Sequence, residues 1–189
     1  MALRIRREIA WYHLALLGVG SMLLAFFGVG VVLPPNVVVQ RSRDVQAPPA
    51  VVFRLLTEVR AHERWAPWKA QDPTLTYQWT EAGTGVGGTY RWHGDRARDG
   101  AWTTTAVEAP KLLGYALELD GRNEVDGLWE LRQFGPVTRV TWELRGHAGW
   151  NIATRYMQLG ADAMWGPLLD LGLENLKREA EYDANPPKP

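Results

Sequence analysis

The chain has 189 residues, 46% of them hydrophobic and 22% charged, the profile of one folded domain with a sizeable core. Its 21 Lys and Arg balance 21 Asp and Glu, which argues against nucleic acid as a partner, and the absence of cysteine excludes disulfides, thiol catalysis, thiolate zinc sites and iron–sulfur clusters. Tryptophan is unusually abundant, with ten residues against six Tyr and four Phe.

Residues 1–10 carry Arg4, Arg6 and Arg7 and read as a basic cytoplasmic tail. Trp11 to Leu33 follows with no formal charge. As a helix it reaches roughly 35 Å, enough to cross a hydrocarbon core of about 30 Å. Trp11 and Tyr12 suit the membrane interface, and Pro34-Pro35 stop the helix. A cleaved signal peptide is the rival reading, but the apolar run is long and Gly28-Val29-Gly30 is a poor cleavage site. Three arginines before the segment and two after it, Arg41 and Arg43, favour a cytoplasmic N-terminus. The remaining domain is then outside, in the periplasm if the source is bacterial. Gly18, Ser21, Ala25 and Gly28 share one helical stripe, through which two chains could form a homodimer, although Gly is simply common in membrane helices.

A folded domain is expected over residues 37–182, with a disordered Pro-rich tail over 183–189. Val37 to Val45 predicts a strand ended by Ala47-Pro48-Pro49, and Val52, Leu55, Leu56 and Val59 then follow at helical spacing. Arg60 to Trp68 predicts a second short helix. From Leu75 the period changes to two. Leu75–Trp79 and Tyr90–Trp92 alternate, and further strands are expected over 101–108, 113–119, 127–133 and 138–145, a meander of six strands joined by turn residues. Ile152 to Tyr182 returns to helical spacing, with Gly166-Pro167 expected to kink or split it. The class is α+β, with the last helix covering the apolar face of the sheet.

Several segments together resemble the START-like (SRPBCC) superfamily, in its polyketide cyclase/dehydratase-like branch with an N-terminal membrane anchor. They are Ala47-Pro48 with Val52-Phe53, Trp65-Ala66-Pro67-Trp68, Asp72-Pro73, Gly85-Val86-Gly87, Tyr90-x-Trp92-x-Gly94, Thr138 to Trp142, and Gly172-Leu173-x-Asn175-Leu176-Lys177. The resemblance covers about Val37 to Glu181. It implies a helix-grip fold, a curved antiparallel sheet wrapped around a long C-terminal helix with a hydrophobic cavity between them. Its members resemble binders of lipids, sterols, hormones or polyketides, and only some are enzymes. Gly166-Pro167 departs from the pattern, at the expected mouth of the cavity.

No motif declares a reaction, and no cofactor, metal ligand or catalytic residue is assigned. Gly83 to Gly88 matches G-x-G-x-x-G, but a strand follows where the dinucleotide fingerprint needs a helix, so it reads as a hairpin loop. His62-Glu63 begins a zinc motif whose second histidine is replaced by Ala66. His93 with Asp95 and Asp99 reads as a solvated hairpin end, and Asp72-Pro73 as a turn starter. Strand parity says more. Tyr77, Trp79, Tyr90, Trp92, Tyr115, Leu117, Trp129, Leu131, Val140, Trp142 and Leu144 share the apolar face, whereas Trp102 has ambiguous parity. On the concave side Tyr77, Trp79, Tyr90, Trp92, Tyr115, Leu117, Trp129, Leu131 and Trp142 would line a ligand site, unless they merely fill the core. Trp65 and Trp68 read as sealing the core edge. Glu130, Arg132, Glu143 and Arg145 take the opposite parity, toward solvent or in cross-strand pairs.

Three functions remain open. The first is membrane-anchored binding of a hydrophobic small molecule, such as a lipid, an isoprenoid or a polyketide-like compound. The second is a cyclase or dehydratase using phenols such as Tyr77, Tyr90 and Tyr115. The third is a module holding a membrane-protein partner without a ligand.

Overall fold

The computed structural model describes residues 2–80, 84–96 and 99–186. Gly83 of the glycine loop and the final Pro187-Lys188-Pro189 lie outside them. The chain divides into two compact units, one containing the N-terminal segment up to Asn36 with Ala148–Leu159, the other containing Val37–His147 with the segment from Gly160 onward.

In the first unit, α1 runs over Ala2–Val32, so the helix begins within the basic segment rather than at Trp11. Trp11–Val32 is long and apolar enough to cross a membrane and is almost entirely exposed. The helix stops just before Leu33-Pro34, as a proline restricts its predecessor to extended backbone. A short helix, designated α5 by its place in the chain, covers Ile152–Gln158, and its Asn151 cap accepts the Thr154 N–H at 3.1 Å.

The second unit is a helix grip. Its strands are β1 (Asn36–Val45), β2 (Thr76–Trp79), β3 (Thr89–His93), β4 (Gly100–Glu108), β5 (Leu112–Leu119), β6 (Arg122–Phe134) and β7 (Val137–His147). They form one sheet in the order β1-β7-β6-β5-β4-β3-β2, so the six-stranded meander closes back on the first strand. The helices are α2 (Pro49–Thr57), α3 (His62–Trp65), α4 (Trp68–Gln71) and α6 (Ala161–Ala184). Leu168, Leu169, Leu173, Leu176 and Ala180 of α6 are buried in the same core as the sheet and α2. At Gly172 the helix approaches most closely, since a Cβ there would stand 2.5 Å from the Trp142 ring.

Three expectations change. Arg60–Trp68 is not one helix. A 3-10 turn over Val59–Ala61 leads into α3, and Ala66, extended before Pro67, separates it from α4. The C-terminal helix breaks at Leu159-Gly160 rather than at Gly166-Pro167, and α6 continues through Pro167. Pro167 and Ala163 are both on the exposed side, so the carbonyl that loses its donor meets water. Gly166 instead makes room for Arg41, whose guanidinium would lie 2.1 Å from a Cβ there. Arg41 donates to both Asp162 oxygens at 2.8 and 3.1 Å and to Asp170 at 3.3 Å, tying β1 to the start of α6. The fold also runs past Tyr182, because Asp183 is helical and accepts from Arg54 and Arg64, each at 2.9 Å. Glu130 with Arg132 and Glu143 with Arg145 form exposed pairs along their own strands, two residues apart, which fits the solvent-facing alternative.

Candidate ligand-binding site

Register places the aromatic set on one face. Tyr77 faces Trp92, Trp79 faces Tyr90, Tyr90 faces Trp102, Trp102 faces Leu117, Trp129 faces Trp142, and Leu131 faces Val140. Directly opposed residues of antiparallel strands share a side, so Trp102 joins the same face. Its parity is hidden in the sequence by small Gly100 and Ala101 before it and three threonines after it. Tyr90, Trp92, Trp102, Tyr115, Leu117, Trp129, Leu131 and Trp142 are buried, and Tyr77 and Trp79 are half-buried at the β2 edge.

The rings occupy this face in contact with one another. Trp102 stacks on Tyr115 with centroids 3.4 Å apart, and Trp129 on Trp142 at 4.3 Å. Trp65 meets Trp129 and Trp142 edge-on, and Trp68 stacks on Trp92 at 5.5 Å, so both pack against the aromatic set. Gly127 is required beneath Tyr115, whose ring would lie 1.8 Å from a Cβ at that position. Two recesses, of about 310 Å³ and about 510 Å³, open at the sheet surface, the first lined mainly by Gln78, Arg91, Ala101 and Glu118 on the face opposite the aromatic set. Trp92 reaches the first beside His93, Asp99 and Arg91, and Leu131 reaches the second beside Lys111 and Glu130.

The polar atoms of this interior fall into two groups. Trp65 Nε1 donates to the Leu55 carbonyl at 3.0 Å, Trp142 Nε1 to the Tyr115 hydroxyl at 2.6 Å, and Trp68 Nε1 to the Tyr90 hydroxyl at 3.3 Å. By contrast, His62 Nδ1, Trp102 Nε1, Trp129 Nε1, Thr104 Oγ1 and the Tyr77 hydroxyl are buried without a hydrogen-bond partner among the described residues. Each such atom costs about 1–3 kcal/mol relative to a bonded one.

His62 is the residue that sequence reasoning missed. Its ring is fully buried and stands edge-on to Trp65, Tyr90 and Trp102, with centroids 4.8, 5.3 and 4.8 Å away. Nε2 lies 2.7 Å from the Leu56 carbonyl. A carbonyl only accepts, so Nε2 carries the proton and the neutral ring presents Nδ1 as an acceptor. Burial pushes the His62 pKa down to about 4, opposed by the bond to Leu56. Burial raises the pKa of Tyr77 to about 12, with the Glu63 charge adding to the shift. It also raises that of Tyr90 and of Tyr115, against the hydrogen bonds those hydroxyls accept from Trp68 and Trp142. At neutral pH these groups are therefore uncharged. The face combines large apolar area with one ring-nitrogen acceptor, two indole donors and the hydroxyls of Tyr77 and Thr104, a surface suited to holding a neutral amphiphile.

Two residues set aside in the sequence have structural roles. Asp72 is buried and accepts from the Thr74 N–H at 2.9 Å, the Thr74 hydroxyl at 2.6 Å and the Arg96 N–H at 2.7 Å, so it ties the loop after β3 to the loop before β2. His93 Nδ1 lies 2.6 Å from Asp99 in an exposed pair at the hairpin end. In the glycine loop, Gly85 and Gly87 have positive φ, and Gly87 and Gly88 hydrogen-bond to Thr104 before β3 begins.

The comparisons with known proteins agree with this architecture. A protein from Chromobacterium violaceum is similar over 79% of this chain and 99% of its own, with 14% identity and a TM-score of 0.53. A protein from Staphylococcus epidermidis covers 82% of this chain and 94% of its own, at 14% identity and a TM-score of 0.55. The Aha1 dimer from Colwellia psychrerythraea covers 77% and 96%, at 18% identity and a TM-score of 0.52. Similarity at this level shows the fold. No curated protein matches the chain. Residues 36–181 match the family described as polyketide cyclase / dehydrase and lipid transport, and the chain belongs to that family.

Proposed function

We propose that this member of the polyketide cyclase, dehydrase and lipid transport family binds an uncharged hydrophobic molecule bearing a hydroxyl or carbonyl group on the concave face of its sheet. The observation that carries the reading is the set of buried, unpartnered polar atoms among stacked rings, His62 Nδ1, Trp102 Nε1 and Trp129 Nε1. A ligand hydroxyl would donate to His62 Nδ1 and a ligand oxygen would accept from an indole N–H, while Tyr77, Trp79, Tyr90, Trp92, Tyr115, Leu117, Trp129, Leu131 and Trp142 supply the apolar walls. The rings must part to admit it. The protonation states favour binding over turnover. An imidazole whose conjugate acid has a pKa of about 4 is a good acceptor but a weak general base, and phenols shifted upward hold their protons.

Trp11–Val32 anchors the protein in a membrane on this reading, with the N-terminus cytoplasmic and the grip domain outside, and the anchor raises the local concentration of the domain where apolar ligands partition. The stripe Gly18, Ser21, Ala25 and Gly28 is open to a second copy of the helix. The test is native mass spectrometry of the full chain released from detergent micelles after incubation with a lipid extract. A reproducible added mass that Trp102→Phe and His62→Gln each diminish supports the assignment. A bare protein mass under all loading conditions refutes it and makes the aromatic face packing alone.

A further inference from the structure

In the unit formed by α1 and Ala148–Leu159 a buried cation ties the segment to the end of the helix. Arg155 is turned inward, and its Nη1 donates to the carbonyls of Gly30, Val31 and Leu33 at 3.3, 2.7 and 3.1 Å. Nε and Nη2 both donate to the Gly149 carbonyl, at 2.9 and 2.7 Å. The last carbonyls of a helix have no intrahelical donor and carry its negative dipole end, so a guanidinium satisfies both needs there. One turn further in, the Tyr156 hydroxyl donates to the Phe26 carbonyl at 2.7 Å, and its ring stacks on Phe26 at 4.6 Å. Gly30 permits the approach, since a Cβ would stand 2.3 Å from Ile152 Cγ2.

Phe26 lies six residues before the end of α1, about 9 Å along the axis. A segment clamped to Phe26 and Gly30 therefore shares the depth of the last turns of α1. Arg155 is the one charged residue between Ala148 and Leu159, and it is consumed in capping. What the segment exposes is mostly apolar: Trp150 is 86%, Met157 74% and Leu159 68% accessible and Ala153 is exposed, with Asn151, the helix cap, the one exposed polar side chain. Trp150 also offers its ring face to Arg155 at 5.6 Å. An exposed Trp with Met and Leu at the end of an apolar helix is a composition that partitions to the headgroup boundary of a bilayer.

We propose that Ala148–Leu159 is an interfacial foot, a second lipid-binding element in which Trp150, Met157 and Leu159 enter the headgroup–acyl boundary beside the capped end of α1. The proposal rests on the reading that α1 spans the membrane. The grip domain is then joined to membrane-embedded chain at three points in the sequence, after Asn36, at Ala148 and after Leu159.

The chain has no native cysteine, so single labels can be placed directly. Met157→Cys, Leu159→Cys, Leu16→Cys in α1 and Glu108→Cys at the exposed end of β4 are each labelled with an environment-sensitive fluorophore. The full chain is then reconstituted in phosphatidylcholine vesicles with a minor share of phosphatidylglycerol. The expected result is quenching of the 157 and 159 probes by lipids spin-labelled near the headgroup, and shielding from aqueous iodide relative to the 108 probe. The Leu16 probe should respond to lipids labelled at the chain end. If the Leu16 probe responds but the 157 and 159 probes match the 108 probe, the foot is overturned while the anchor stands. If the Leu16 probe is quenched by neither lipid, the anchor itself is wrong and the foot falls with it.

Discussion

The sharpest consequence of the buried His62 is a pH dependence with a defined window. The ring is fully buried, which lowers its pKa from about 6.5 to about 4 against the opposing effect of the Nε2 bond to the Leu56 carbonyl. In that interval the unfolded chain binds a proton that the folded chain refuses, so stability falls as pH drops from about 6.5 to about 4 and is fully present above it. The whole shift corresponds to about 3 kcal/mol, of which about 2 kcal/mol is lost by pH 5. His62→Gln keeps an amide N–H for the Leu56 carbonyl and does not titrate. Urea unfolding of the full chain in detergent, at pH 7 and pH 5, should show the wild type losing about 2 kcal/mol more than the variant, with equal slopes. A bound hydroxyl donating to Nδ1 stabilises the neutral ring and widens the difference. Parallel losses in the two proteins, or a His62 ring that titrates near 6.5 by NMR, would refute both the burial and the acceptor role.

Trp142→Phe removes the 2.6 Å bond to the Tyr115 hydroxyl and should cost about 1–3 kcal/mol more than its change in volume alone, whereas Trp102→Phe deletes an N–H that has no partner and should cost less while weakening ligand uptake more. Denaturant midpoints and the bound fraction in native mass spectra separate the two effects. Gly127→Ala drives a methyl into the Tyr115 ring and should destabilise by about 1–3 kcal/mol, visible as a lowered midpoint and a changed near-ultraviolet circular dichroism of the Trp102–Tyr115 stack. Arg155→Ala strips donors from the carbonyls of Gly30, Val31 and Leu33 and should lower stability to dodecyl sulfate by about 2 kcal/mol or more. Arg155→Lys should recover only part of this, because an ammonium lacks the planar fork. An unchanged midpoint for Arg155→Ala would remove the cap from the account.

The sheet was legible because its strands alternate apolar and polar residues and are closed by Gly, Pro, Asn or Asp, a pattern that local physics imposes. Side-chain roles decided by partners distant in sequence were not. Asp72 before Pro73 has every local mark of a turn starter, and only the fold brings the Arg96 N–H to its carboxylate. Gly166-Pro167 looks like a helix break, yet the reason for the glycine is Arg41, 125 residues earlier, whose guanidinium needs the space. Arg155 looks like an ordinary helix-surface charge until Gly30, Val31 and Leu33 are placed against it. His62 reads in the sequence as half of a zinc motif. Its importance comes instead from Trp65, Tyr90 and Trp102, which exclude water from one ring nitrogen while Leu56 occupies the other.

Packing alone does not account for the choice of indoles on the concave face. Trp65, Trp68 and Trp142 have acceptors for their N–H groups, and a structural role explains them. Trp102 and Trp129 have none among the described residues, and each carries a buried donor at a cost of about 1–3 kcal/mol that Phe would avoid. A core selected only for stability places Trp where its N–H finds a partner. Departures from that rule concentrate where function overrides local stability. The unpaired indoles flank His62 through Trp102 on one side and Trp65 on the other, so donors and acceptor belong to one contiguous cluster. On the proposed function, a neutral ligand carrying a donor and an acceptor relieves deficits of this kind, whereas a purely hydrocarbon ligand relieves none. The affinity of the face should therefore rise from an alkane to the alcohol of the same carbon skeleton, the reverse of what hydrophobic transfer alone would produce.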